Sequence, residues 1–322
     1  MQNPFIMNKE GCSYSVLSYP KVELVGFPLS FQPLYVEYVN HSLNGDVYVF
    51  CFQDNYLCMI LRKKMGMTFA HLVSEIHTKG DKEIDYSEFY FKLHHYFASK
   101  KVVVVYPPQH LHTYDEAPIS SKKKYLGIIQ LPILTSIEEQ FSKMKTVYKR
   151  HIKSAQKAGV QVEFGLHLFE EFYDFYASKM QSNHAVFDQK SVLKALIDRG
   201  TKNVQCGVAR LENKIEAVIL NIHDDEKAYY MWGASGETAH NGSFRLLHWE
   251  LIQYYYSIGI KNYSLGGYRF TGQKTKKQEN LERFKLGFGS KVHDGFHFEW
   301  VLRPVHYYFY TKMSKFRKCF KK

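Results

Sequence analysis

The chain has 322 residues, 45% apolar and 16% aromatic, which is material for about two cored domains and rules out a disordered chain. Its net charge is +12; no apolar run approaches the ~20 residues of a spanning helix, and Met1 to Gly11 lacks the apolar core of a signal peptide. Five scattered cysteines (Cys12, Cys51, Cys58, Cys206 and Cys319), none in a CxxC pair, argue against a disulfide framework or a structural zinc site and imply a reducing cytoplasm. No metal role is expected of the histidines either. His94 and His95 are helix neighbours that do not share a face, and His110 and His112 follow Pro107-Pro108 in a loop.

In chain order, Val47 to Phe52 and Tyr56 to Leu61 read as a hairpin turning at Asp54-Asn55, with Thr68 to Val73 as a third strand. Asp85 to Ser99 is a helix with the stripe Phe89, Leu93, Tyr96 and Phe97, capped by Asp85 with Glu88 three residues on. Val102 to Tyr106 is a buried strand stopped by Pro107, and Tyr125 to Leu131 is another. The spacing of Ile137, Phe141, Met144, Tyr148, Ile152 and Ala155 predicts one long helix from Ser136 to a terminal Gly159.

Val160 to Phe164 is a strand, and His167 to Met180 and Lys190 to Ile197 are helices. Gln205 to Leu211 and Glu216 to Ile222 pair across Glu212-Asn213-Lys214, and Lys227 to Trp232 is a third strand. Phe244 to Ser257 is a helix ended by Gly259, Tyr263 to Leu265 a short strand ending at Gly266-Gly267, Gln278 to Leu286 a helix, and Val292 to Leu302 a final strand. Both halves share a β-β-β-α-β order, which suggests an internal duplication. The tail, Tyr307 to Lys322, has Phe309, Met313, Phe316 and Phe320 at helical spacing among six cations. It reads as a terminal helix docked on the first domain, or as a basic helix on an anionic membrane surface.

The positive charge is concentrated. Residues 121–165 hold nine basic against three acidic residues, and 266–322 hold fourteen against four, while the remaining chain is slightly acidic. Clustered cations of this kind face phosphates, whether of nucleic acid, nucleotide or lipid. No helix-turn-helix or zinc-finger pattern points to DNA.

Three local patterns carry a resemblance. They are Arg150-His151-Ile152-Lys153-Ser154-Ala155-Gln156-Lys157-Ala158-Gly159-Val160; Gly242-Ser243-Phe244-Arg245 with the later Tyr263-Ser264-Leu265-Gly266-Gly267; and Phe284-Lys285-Leu286-Gly287-Phe288-Gly289. Together with the element order, they resemble the FemABX-like branch of the GNAT acyltransferase superfamily over about residues 125–295. Ser264 stands where that family usually has Asp. The resemblance implies an α/β (α+β) fold of two tandem GNAT-like lobes, each a mixed twisted sheet flanked by helices, with a cleft between them. The first lobe is residues 1–125, completed by a C-terminal helix 304–322; the second is 126–303 and includes the linker helix 136–159.

The resemblance further implies a bacterial acyltransferase of cell-envelope biogenesis. It would move an acyl or aminoacyl group from acyl-CoA or aminoacyl-tRNA, used as co-substrates, to an amine of a phosphate-bearing peptidoglycan or polysaccharide precursor. No cofactor is bound permanently. Lys285, with Phe284, matches the family's catalytic pair, and a lysine near a cleft can stabilise a developing oxyanion. Gly242, Ser243 and Arg245 at a helix start, with Gly266 and Gly267 after a strand, are candidates for the donor's phosphates. Arg150, Lys153, Tyr268 and Arg269 are candidates for the acceptor. The fuller glycine loop of acetyl-CoA-binding GNAT enzymes is absent. No general base is evident, because Glu250, Glu279 and Glu282 are expected to face solvent or cap helices. The alternative is a non-catalytic RNA- or membrane-surface-binding protein on a degenerate GNAT scaffold. In either case the chain would be cytoplasmic, at the inner membrane surface if the tail lies on lipid.

Overall fold

A computed structural model describes residues 14–19, 26–80, 83–108, 112–200 and 202–319, with side chains to Ser314. Cys12, His110 and the tail side chains from Lys315 onward lie outside the described residues. Two compact units appear, one of residues 1–126 and 294–322, the other of 127–293.

The first unit contains β1 (Ser15–Ser18), α1 (Pro33–Leu43), β2 (Asp46–Phe52), β3 (Asn55–Lys64), β4 (Met67–Leu72), β5 (His77–Thr78), α2 (Tyr86–Ser99) and β6 (Val102–Tyr106). The strand β7 (Lys122–Pro132) leads into the second unit. That unit holds α3 (Ile137–Lys143), α4 (Thr146–Lys157), β8 (Gln161–Phe164), α5 (Phe169–Ser182), α6 (Lys190–Arg199), β9 (Val204–Leu211), β10 (Lys214–His223) and β11 (Lys227–Ser235). It continues with α7 (Ser243–Ser257), β12 (Asn262–Arg269) and α8 (Lys276–Leu286). The strand β13 (Lys291–Val301) returns to the first unit, which α9 (Pro304–Cys319) ends.

The first unit's strands lie in the order β1-β2-β3-β4-β6-β13. β2, β3 and β4 are antiparallel, and β6 runs parallel to β4 after the α2 crossover. A parallel neighbour needs such a crossover, and α2 supplies it by burying Phe89, Leu93, Tyr96 and Phe97 on the sheet. The Asp85 carboxylate accepts the Glu88 N–H at 2.9 Å and so caps the helix. Val102 to Val105 are all buried, as a strand covered on both faces should be.

The second unit orders its strands β7-β12-β11-β10-β9-β8. β9, β10 and β11 are antiparallel, and β12 runs parallel to β11 after α7. This is the same three-strand, helix, parallel-strand unit, so the β-β-β-α-β order seen in the sequence recurs as one topology in both units. α7 buries Leu247, Leu251, Ile252 and Tyr255 against the sheet.

Four sequence expectations need correction. The single helix over 136–159 is two, because Met144 and Lys145 are extended (ψ 149° and 140°). Met144 is buried, and the Lys145 N–H donates to the Gly287 carbonyl at 3.0 Å, a long-range bond that replaces a helical one. The first hairpin turns one residue earlier, at Gln53-Asp54 (φ 49° and 63°), so Phe52 pairs with Asn55. β12 runs on through the glycine pair to Arg269, with a kink at Gly266 (φ 85°). The second unit stops at residue 293, not 303, because the end of β13 pairs with β6 (Trp300 opposite Val105). β1, α1 and β5 have no counterpart in the sequence reading.

Candidate active site

Lys285 lies in the last turn of α8, 8% exposed. Its ammonium has no hydrogen-bond or ion-pair partner among the described residues. Burial lowers its pKa from 10.5 to about 8, a shift that nearby Glu282 partly opposes. β12 brings its backbone to this ammonium at the kink: a Cβ on Gly266 would stand 3.3 Å from Lys285 Nζ. A side chain there would need both the left-handed backbone and the space the lysine occupies.

Glu282, one turn earlier, is buried rather than solvent-facing. One of its oxygens accepts the Arg269 N–H at 3.0 Å, and the other meets Lys274 Nζ at 2.6 Å. Its charge is therefore committed to closing the β12–α8 loop, and Lys285 is left unneutralised. Lys274 also lies 4.1 Å over the Tyr268 ring. Tyr268 is thus engaged by its own loop, and the Arg269 side chain is exposed.

Behind Lys285 sits His248 of α7, fully buried and enclosed by the rings of Tyr230, Phe244, Phe284 and Phe288 at 4.8–5.4 Å. Burial, with the Lys285 charge second, lowers its pKa to about 3, so the ring is neutral. Nδ1 pairs with the Tyr263 hydroxyl at 3.1 Å, and Tyr263 is in turn bonded by the Asn221 amide at 3.0 Å. Nε2 has no partner, and neither does the buried Ser264 hydroxyl two residues before Gly266. Buried polar groups are ordinarily satisfied. Here His248 Nε2, the Ser264 hydroxyl and the Lys285 ammonium are left without partners around one kinked strand.

Four other positions of the F-K-L-G-F-G run have a packing reason. A Cβ on Gly287 would fall 2.0 Å from the Tyr148 ring, and one on Gly289 (φ 87°) would stand 3.1 Å from the Lys143 carbonyl oxygen. Tyr148 donates its hydroxyl to the Phe284 carbonyl at 3.0 Å, which satisfies the end of α8. Phe284 stacks on Phe244 with centroids 5.3 Å apart, and Phe288 is fully buried. These contacts fix the helix end from which Lys285 projects.

At the start of α7, where the sequence suggests a site for the donor's phosphates, the polar side chains are engaged within the protein. The anion there belongs to the protein: the Glu216 carboxylate of β10 accepts the Ser243 hydroxyl at 3.1 Å and also the His240 N–H. The Gly242 N–H is used by His240 Nδ1 at 3.1 Å. Gly242 is glycine because a Cβ would lie 2.0 Å from the His151 carbonyl of α4. Arg245 spreads its guanidinium over Tyr148 (4.7 Å) and Phe284 (5.7 Å) and bonds the Asn241 carbonyl, so it joins α4, α7 and α8. Arg150 and Lys153 line a separate open hollow of about 570 Å³ between α3 and α4, with Lys149 and Phe141. Of the candidates, then, Lys285, Phe284 and Gly266 come together, with Arg245 against the Phe284 ring. Gly267 is exposed on the same strand, Gly242 and Ser243 are engaged at the start of α7, and Arg150 and Lys153 line the separate hollow. Among the described residues, no three potential metal ligands cluster.

Residues 142–285 match the family model described as an acetyltransferase (GNAT) domain, whose last matched residue is Lys285. Over these residues the chain is similar to GNAT acetyltransferases. No curated protein matches it by sequence. Among solved structures it is similar to FemX (12% identity, 86% of this chain and 93% of that one, TM-score 0.66). It is also similar to L-PGS from Bacillus licheniformis (11%, 85% and 94%, TM-score 0.53). A third is the C-terminal domain of a putative lysylphosphatidylglycerol synthetase from Agrobacterium fabrum (13%, 83% and 91%, TM-score 0.51). At these identities the likeness is one of fold, and it extends well beyond residues 142–285.

Sequence reasoning missed the supporting residues of the matched region. His248 could have been noticed as a histidine on the apolar face of α7, four residues after Phe244. Nothing local marks Glu216, Asn221 or Glu282, whose partners lie far along the chain.

Proposed function

We propose that the protein transfers an acyl or aminoacyl group to an amine of a peptidoglycan or polysaccharide precursor at a centre built on Lys285. The observation that carries this reading is a buried lysine whose ammonium lacks a counter-charge and faces a kinked glycine backbone.

The acceptor amine attacks the carbonyl carbon of the donor ester, the C–N bond forms, and the C–O bond to the leaving group breaks. The neighbouring ammonium stabilises the oxyanion and gives its proton to the departing oxygen. The neutral lysine then takes the proton lost by the attacking nitrogen, so one group serves both transfers. With a pKa of about 8 the lysine is mostly protonated at neutral pH, yet releases its proton far more readily than an exposed one. His248, being neutral, does not compete as an acid; it holds the aromatic wall behind the lysine.

Aminoacyl-tRNA is the favoured donor over acyl-CoA. The two basic segments suit a polyanion, and the fuller glycine loop of acetyl-CoA-binding GNAT enzymes is absent. The similarity to a domain of a putative lysylphosphatidylglycerol synthetase is compatible with an aminoacyl donor.

The test is equilibrium binding of charged against deacylated tRNA at low and moderate salt. Preference for charged tRNA supports the reading. Binding that ignores charging and fades with salt overturns the tRNA donor and leaves acyl-CoA to be tried.

A further inference from the structure

α9 has two faces. Tyr307 and Tyr310 hold it to the first unit: the Tyr307 hydroxyl donates to Glu299 at 3.0 Å, and the Tyr310 ring lies 4.6 Å from that of Phe69. Thr311 and Ser314 continue this half-buried side. The opposite side carries Val305, Tyr308, Phe309 and Met313, exposed by 66, 58, 57 and 45%. The spacing i, i+3, i+4, i+8 puts them in one stripe. A docked helix normally turns polar residues outward, and here large apolar ones are turned outward instead.

Charge decides what covers the stripe. Lys312 lies within it and is exposed. Residues 303–322 hold seven lysines and arginines and no acidic residue. Lys64, at the β3–β4 turn, adds a cation beside the helix, 5.7 Å from the Tyr310 ring. A second copy of the chain would bring like charges together across a self-complementary contact. An RNA would match the charge but leave the apolar stripe in water. An anionic bilayer satisfies both, since its headgroups attract lysine and arginine while the acyl boundary takes valine, phenylalanine, tyrosine and methionine.

We propose that the outward face of α9 is a docking surface for anionic lipid, laying the helix in the plane of a membrane. The reading is independent of acyl transfer, because the stripe belongs to the first unit and uses none of the residues around Lys285.

The test is flotation of the full chain with vesicles of phosphatidylcholine alone or mixed with phosphatidylglycerol, without donor or acceptor. Binding to the mixed vesicles is expected, falling steeply with salt. Lys312→Gln should weaken it roughly fivefold, the worth of one cation near such a surface. Tyr308→Ser with Phe309→Ser should weaken it at least tenfold, with unchanged circular dichroism and melting. The proposal is overturned by equal binding to both vesicles, by full binding of the double serine variant, by no binding at all, or by a stripe-dependent dimer in sedimentation that ignores vesicles.

Discussion

Lys285→Met removes the buried ammonium but keeps an unbranched side chain, and so separates what the lysine does for the reaction from what it does to the fold. Lowering its pKa from 10.5 to about 8 corresponds to about 3 kcal/mol, since each tenfold change in proton affinity is worth about 1.4 kcal/mol. The sign follows from where the proton is held. The unfolded chain keeps it to about pH 10.5, whereas the folded chain releases it near 8, so the folded state is penalised in full below pH 8. Between pH 8 and 10.5 the penalty fades as the native lysine becomes neutral. The variant should therefore be more stable than wild type by about 3 kcal/mol at pH 7, with the gain shrinking to within packing differences by pH 10.5. Urea unfolding followed by the fluorescence of Trp232 and Trp249, both in the second unit, reads this directly. Turnover should fall at least 100-fold, as expected when a group acting on a developing charge is lost. Destabilisation at pH 7, or a difference independent of pH, would refute the reasoning.

Three further outcomes are expected. The His248 imidazole, with its pKa near 3, should show no titration by NMR between pH 8 and 4, and its burial should cost stability as pH falls from 6.5 toward 3; a midpoint near 6.5 contradicts its enclosure. Gly266→Ala forces a side chain into a left-handed backbone beside Lys285 Nζ, so it should cost about 1–2 kcal/mol and reduce turnover at least tenfold, and unchanged turnover refutes the contact. Glu216→Gln should cost about 1 kcal/mol in unfolding experiments by weakening the anion at the start of α7, with the donor KM unchanged; a shifted KM would return the donor to that helix.

Much of the fold can be read from local pattern. The α2 stripe, the all-valine β6 and the β9–β10 turn declare themselves over a few residues, because burial period and turn chemistry are local properties. Lys285 and Phe284 were visible only through a motif, yet the structure gives that motif physical reasons: Tyr148 leaves no room beside Gly287, and the Lys143 carbonyl crowds Gly289. What stayed hidden depends on partners distant in sequence. The helix break at Met144-Lys145 has no glycine or proline to announce it and is made by the Gly287 carbonyl. The start of α7 looked like an open anion site because its occupant, Glu216, comes from another strand. Glu282 looked like a surface acid because Lys274 and the Arg269 N–H reach it only once the β12–α8 loop has closed.

The central claim is that acyl transfer passes through Lys285. It is tested most directly by mass-spectrometric detection of amide product from aminoacyl-tRNA or acetyl-CoA and an amine-bearing envelope precursor, comparing wild type with Lys285→Met across pH 6–10. The account predicts product from wild type, with a rate that declines as pH rises through about 8, and almost none from the variant at any pH. Product at equal rates from both proteins, or none from wild type with either donor, would contradict it.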